Sequence, residues 1–201
     1  MMKLLAAILA GALLVACGGN VQTTEMVRYD FGNLAGNGPR LPIPIVAVNV
    51  QASSWLSGPD MHFRLVYAEP LQRRSYSESR WAAPPAELLE AFLKRRLVFG
   101  QPDFAGTGCR LQLVLDELEQ RFDAPQSSQV VLEVHALLKP WRGAEVLSRR
   151  AFLIRRPAAV PAARGGAAAA GDAAQALADE LGGWLGELSR AKSATVEHCR
   201  S

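Results

Sequence analysis

The sequence predicts an α+β fold, a two-layer domain with a mainly antiparallel sheet and two helices in the order ββ-α-βββ-α. Three observations carry this. Apolar residues alternate with period two in several short stretches, they recur at helical spacing in two others, and Gly/Pro clusters separate the stretches. With 201 residues and 49% apolar content the chain can bury one core, since a core becomes self-sufficient above roughly 100 residues.

The elements follow in order. Residues 1–16 read as a signal peptide: Lys3 supplies positive charge, and Leu4 to Ala16 is an unbroken run of 13 small or apolar residues. A bilayer-spanning helix needs about 20, so the run fits the hydrophobic region of a secretory signal. Residues 17–25 form a polar tether, and 26–201 form a single domain. Met26 to Phe31 reads as an edge strand, and Asn33 to Arg40, with two glycines and a proline, as a loop. Ile45 to Val50 is a β-branched run, expected as a buried strand. Met61, Phe63, Leu65 and Tyr67 share one face of a second strand, with His62 and Arg64 on the other.

Pro84-Pro85 opens a helix, where proline is tolerated in the first turn. Leu88, Leu89, Phe92, Leu93 and Leu97 then repeat at helical spacing until Gly100, and Lys94, Arg95 and Arg96 complement the dipole. A three-strand meander is expected next. Leu111, Leu113 and Leu115 share one parity while Leu118 and Phe122 take the other, so a bulge near Asp116-Glu117 is required to keep the apolar face continuous. Residues 124–128 make the turn, Val130 to Leu138 alternate across a second strand, and Val146 to Ile154 form a third. Residues 157–171, almost all Ala, Pro and Gly, read as a linker. Asp172 is expected to cap a long helix with Ala174, Leu177, Ala178, Leu181, Trp184, Leu185 and Leu188 in one stripe. Gly182, Gly183 and Gly186 weaken that helix by about 1 kcal/mol each unless close packing offsets it.

Function classes narrow quickly. A net charge of +3 from 22 basic and 19 acidic residues leaves no concentrated basic face for nucleic acid. No nucleophile elbow surrounds any serine, no phosphate-binding loop occurs, and no His/Cys pairs stand at metal-ligand spacing. The chain is therefore read as a non-enzyme without metal or cofactor. His62 and His135 fall on polar strand faces, and His198 near the end of the chain. Asp116, Glu117 and Glu119 read as a solvated carboxylate edge.

Cys17 closes the tetrapeptide Leu14-Val15-Ala16-Cys17, which resembles the bacterial lipobox. Its thiol can take a diacylglyceryl group as a thioether, and acyl chains at about 0.8 kcal/mol per buried methylene anchor a protein firmly. Gly18 stands where aspartate would resemble the inner-membrane retention signal, so outer-membrane sorting is expected in a Gram-negative host. In an oxidising compartment Cys109 and Cys199 are then the remaining thiols. A bridge between them would close a loop of about 90 residues, for which chain entropy gives roughly 4 kcal/mol; two unpaired thiols are the alternative.

Trp55, Phe63, Tyr67, Tyr76 and Trp81 fall within 27 residues, interleaved with Arg64, Arg73, Arg74 and Arg80. These types are enriched at binding hot spots, so Trp55, Tyr76, Arg80 and Trp81 are the expected partner-binding surface; core aromatics beside a solvated arginine edge is the alternative. Leu41-Pro42-Ile43-Pro44-Ile45, Trp55-Leu56, Met61 to Tyr67, Tyr76-Ser77-Glu78-Ser79-Arg80-Trp81 with Pro84-Pro85, and the strand at 111–122 together resemble the ABC-type transport auxiliary lipoproteins, the paraquat-inducible protein C type. The resemblance implies an outer-membrane lipoprotein working with an inner-membrane ABC transporter and a mammalian-cell-entry-type periplasmic protein, in traffic of lipids or other hydrophobic compounds. It supplies no catalytic residues. A lipid carrier and a stand-alone envelope assembly or integrity factor are the alternative functions. A ring or other homo-oligomer is compatible with the docking component.

Overall fold

A computed structural model describes residues 25–32, 38, 41–97, 108–191 and 197–199. The signal segment, Cys17, nearly all of the tether, most of the 33–40 loop and the expected helix end at Gly100 lie outside these residues. The described strands are β1 (Val27–Tyr29), β2 (Ile45–Ala52), β3 (Asp60–Leu65), β4 (Arg74–Trp81), β5 (Cys109–Ala124), β6 (Ser127–Pro140) and β7 (Ser148–Pro157). The helices are α1 (Pro85–Arg96) and α2 (Ala163–Arg190). They cover one face of a mixed seven-stranded sheet, giving the two-layer α+β arrangement.

β5 is the spine. On one side it pairs along its whole length with β6, antiparallel, and β6 pairs in turn with β7. On its other side two strands lie end to end: β2 runs parallel to residues 109–115 and β3 parallel to residues 120–122. A 3-10 turn at Ser54–Leu56 joins β2 to β3, pinned where Ser53 N–H donates to Leu115 O at 3.1 Å. The ladder register shifts between Leu115 and Glu117, which is the bulge demanded by the parity switch. It keeps Leu111, Leu113, Leu115 and Leu118 in one core with Leu132, Val134 and Leu138 of β6 and Phe152 and Ile154 of β7. Leu89, Phe92 and Leu93 of α1 and Leu177, Leu181, Trp184 and Leu185 of α2 close that core, each large aliphatic side chain contributing about 1.5–3 kcal/mol.

Two expectations are corrected. Residues 74–81 form strand β4, inserted between β1 and β3, in a stretch to which the sequence reading assigns no strand. Their pattern hides the strand because the β3–β4 register advances two residues on one side and five on the other between Asp60/Arg80 and His62/Ser75, and this wide bulge breaks the alternation. Residues 163–171 are the first turns of α2, so no linker runs from 157 to 171, and Asp172 lies exposed inside the helix rather than capping it.

The composition of this half of α2 follows from how closely it approaches its neighbours. A Cβ on Gly165 would overlap the Val160 carbonyl oxygen, one on Gly166 would overlap Gln120 Oε1, and one on Gly171 would sit 2.8 Å from Phe31 O. At Gly165 and Gly171 a side chain would meet backbone, at Gly166 it would displace the Gln120 amide, and alanine elsewhere on that face, such as Ala170, Ala173 and Ala174, keeps the gap narrow. Gly183 and Gly186 have nothing within 4 Å of an added Cβ, so packing does not offset their helix cost. Gly183→Ala and Gly186→Ala should each stabilise the fold by about 0.5–1 kcal/mol. Gly165→Ala should instead destabilise it by roughly 2 kcal/mol through overpacking against fixed backbone. Urea unfolding of the three variants checks this opposite pair of signs.

Candidate docking face

Past the bulge, Leu118 and Gln120 point into the core, so Glu117, Glu119 and Arg121 point to the sheet face that the helices leave open. Arg64 reaches this face from β3 and Arg73 from the segment preceding β4. Arg73 grips Glu117 with two bonds of 2.8 and 2.5 Å. Arg64 Nε donates to both Glu119 oxygens at 3.1 and 3.2 Å, and Arg121 Nε donates at 2.6 Å. The Glu119 side chain is fully buried while its arginine partners keep partial access to water. The expectation of a solvated carboxylate edge is therefore corrected for Glu117 and Glu119, because arginines distant in sequence cover them.

Electrostatics fixes the protonation of this cluster. Burial pushes the Glu119 carboxyl up, but the hydrogen bonds and charges of Arg64 and Arg121 outweigh it and hold the group below the ordinary carboxylate range. Hydrogen bonding to Glu117 outweighs burial to keep the Arg73 guanidinium more firmly charged. An acid held ionised in this way cannot donate a proton at neutral pH, and its lone pairs are already taken by arginines. Among the described residues no three His, Cys, Asp or Glu side chains gather in a metal-binding group.

A depressed carboxyl stabilises the fold fully above the unfolded value of about 4.3, and that contribution disappears as pH falls through the lower folded value. Glu119→Gln should cost roughly 2–3 kcal/mol at pH 7, less than the loss for a wholly buried pair because the arginines reach water. Its stability should also fall less than that of the natural protein between pH 5 and pH 3, by about 1 kcal/mol or more. Urea titrations across that range measure both effects.

The cluster supports an exposed aromatic. Trp55 lies on the 3-10 turn with 53% of its surface open, while the next residue, Leu56, is fully buried and anchors the turn. Arg73 Cζ stands 6.0 Å from the Trp55 ring centroid, within cation–π range. His62 Nε2 lies 3.0 Å from Trp55 O, and Ser75 Oγ 3.1 Å from His62 Nδ1. This is a rigid aromatic on a positively biased platform.

The other expected surface residues stand elsewhere. Tyr76 turns inward: its ring centroid is 4.7 Å from that of Phe63, its hydroxyl donates to Gln120 Oε1 at 2.9 Å, and burial pushes that hydroxyl up to about 12. Arg80 pairs with Asp60 at 2.9 Å and donates to the carbonyls of Ser79 and Tyr76, capping the β4 bulge. Trp81 is 4% exposed. Trp55, Tyr76, Arg80 and Trp81 therefore do not share one open patch; of the four, Trp55 alone presents a largely exposed aromatic ring. The Glu117/Glu119/Arg121 triplet at period two after a bulge is the signal that locates the charged cluster in the sequence. Cys109 and Cys199 form the disulfide, with Cα atoms 5.0 Å apart. His135 is exposed and lies 2.5 Å from Asp116.

Solved structures share this architecture. A Xanthomonas campestris protein assigned to the family DUF330 is 19% identical, covering 84% of this chain and 98% of its own, with a TM-score of 0.61. An uncharacterized protein is 15% identical over 84% of this chain and 99% of its own, with a TM-score of 0.53. These likenesses concern the fold. No sequence match was found among curated proteins. The family described as the ABC-type transport auxiliary lipoprotein component matches residues 38–182, a span running from the approach to β2 through most of α2. On that match the chain belongs to the ABC-type transport auxiliary lipoprotein family.

Proposed function

We propose that acyl chains on Cys17 hold this protein at the periplasmic face of the outer membrane. There its open face around Trp55 docks an ABC-type, mammalian-cell-entry-associated system that moves lipids or other hydrophobic compounds. Membership in the family implies envelope association and work with an ABC transport system. No helix among the described residues is long and apolar enough to cross a membrane, and acylation would supply the attachment.

The observation that favours docking over carriage is the tight packing between sheet and helices among the described residues. The space enclosed among Met61, Tyr76, Trp81, Leu118, Gln120 and Gly166 is about 10 Å³, room for one water and not for an acyl chain. The larger groove, about 510 Å³, is open to solvent and mixes Tyr29, Phe31 and Ala167 with Arg28, Asp30, Arg164 and Asp172 on its walls, so it is not an enclosed apolar chamber.

Palmitate labelling and fractionation test the anchor. The natural protein should be labelled and sediment with outer membranes, whereas Cys17→Ala should be unlabelled. Trp55→Ala should reduce co-purification with the mammalian-cell-entry-type protein at least tenfold at unchanged melting temperature. An unlabelled natural protein, or undiminished recovery of the partner, would refute the corresponding half of the proposal.

A further inference from the structure

Strand β7 ends the sheet, and its sequence is Ser-Arg-Arg-Ala-Phe-Leu-Ile-Arg-Arg-Pro. In an antiparallel ladder only alternate residues exchange bonds with a given neighbour. Two facts set the phase: Ala158 N–H donates to Ser128 O at 2.9 Å, and Pro157, which has no N–H, stands opposite Gln129. Arg150, Phe152, Ile154 and Arg156 thus bond toward β6, and Arg149, Ala151, Leu153 and Arg155 turn their backbone groups to the open edge.

The side chains of those four residues lie on the open face of the sheet. Leu153 is 50% exposed. On the helix side Arg150 is engaged by Glu187 at 3.0 Å, and Arg156 Nη1 donates to Arg155 O at 2.9 Å. Among the described residues no acid pairs with Arg149 or Arg155. Among the described residues the edge therefore offers unpaired backbone groups flanking an exposed leucine, bracketed by Arg149 and Arg155, which make no ion pair although Glu133 stands opposite Leu153 on the same face.

We infer that β7 accepts an extended acidic segment of a partner protein as an added strand. Charge selects that occupant. A second copy pairing antiparallel about Phe152 would set Arg149 opposite Arg155, and parallel in-register pairing would set each arginine on its twin; like charges directly opposite are destabilising. Carboxylates flanking a β-branched core satisfy backbone, leucine and arginines together. This inference extends the docking reading by naming the chemistry of one contact, and it is tested without reference to membrane attachment.

The test uses the full acylated chain in detergent and two labelled peptides. Each has a six-residue alternating valine–threonine core, flanked by paired glutamates in one and paired lysines in the other. Fluorescence anisotropy should show the glutamate peptide binding at least tenfold more tightly. Ala151→Pro removes an N–H that the β6 ladder does not use, so it should weaken binding tenfold or more while leaving the melting temperature within a few degrees. Arg149→Glu combined with Arg155→Glu should reverse the peptide preference. Equal binding of both peptides would overturn the inference. So would glutamate-peptide binding indifferent to Ala151→Pro, accompanied by capture of phosphatidylglycerol vesicles, which would assign the arginines to lipid headgroups; so would concentration-dependent dimers blocked by Ala151→Pro. Any of these leaves palmitate labelling and Trp55-dependent co-purification untouched, so failure here is separable from failure of the docking reading.

Discussion

Trp81→Ala should lower stability by about 3–5 kcal/mol, the range for emptying a large buried aromatic site, and reduce the melting temperature by on the order of 10 °C. Trp81 closes β4, where its N–H donates to Pro59 O at 2.8 Å and its register partner is Tyr29 of β1. Its ring meets Phe31 edge-on at 5.4 Å, and Phe31 in turn meets Phe92 of α1 at 6.3 Å. Trp81 thus joins β4 to the short β1 through the ladder and, by way of the Phe31 ring, connects to α1, and its truncation leaves a void beside Phe31. A binding defect in an Arg80→Ala, Trp81→Ala double variant would then report loss of packing. Trp55→Ala, at an exposed position, should change stability by less than about 1 kcal/mol, which makes it the cleaner probe of docking. Differential scanning calorimetry of the two single variants separates these roles; equal melting temperatures would refute the structural part played by Trp81.

Cys199→Ser should cost roughly 4 kcal/mol, again near 10 °C in melting temperature. The bridge joins residues 90 apart in sequence, and a long loop confines the unfolded chain strongly. It ties the residues around Cys199 to the first residue of β5, where Cys109 is fully buried opposite Ile45 of β2 and Pro140 of β6. Reduction with dithiothreitol should reproduce the loss in the natural protein and add nothing in the variant. Alkylation before reduction should label neither Cys109 nor Cys199; labelling of both would contradict the bridge.

Much of the fold is legible in the sequence because its signals are local. Leu111 to Phe122 announces both a strand and its bulge, since an apolar run that changes parity stays on one buried face only if an extra residue enters the ladder. Pro84-Pro85 followed by Leu88, Leu89, Phe92 and Leu93 marks α1 in the same way. β4 escapes such reading because Arg74 to Trp81 is mostly polar and its alternation is interrupted by a bulge that exists only when β3 is alongside. The start of α2 escapes it because alanine and glycine in bulk resemble a linker, although alanine is the strongest helix former and Gly165, Gly166 and Gly171 are required by carbonyl and amide oxygens from Val160, Gln120 and Phe31. Distance in sequence hides the charged cluster. Glu119 meets Arg64 across 55 residues and Glu117 meets Arg73 across 44, so of the arginines that cover the two glutamates only Arg121 stands near them in the chain. Arg80 stands out among its aromatic neighbours, but the task it performs, capping carbonyls freed by the β4 bulge, is invisible until that bulge is seen.

The end-to-end placement of β2 and β3 along β5 sets an order of events in a chain delivered N-terminus first to the compartment where it folds. Both strands arrive before the template that both must join, and they stay unzipped until residues 109–122 follow; the local β5–β6 hairpin can then form at once and gather them. The covalent clasp comes last of all, since its second sulfur sits at residue 199. Any product cut short before that point can assemble the sheet yet never lock it, so pairing of Cys109 with Cys199 marks chains that extend through residue 199.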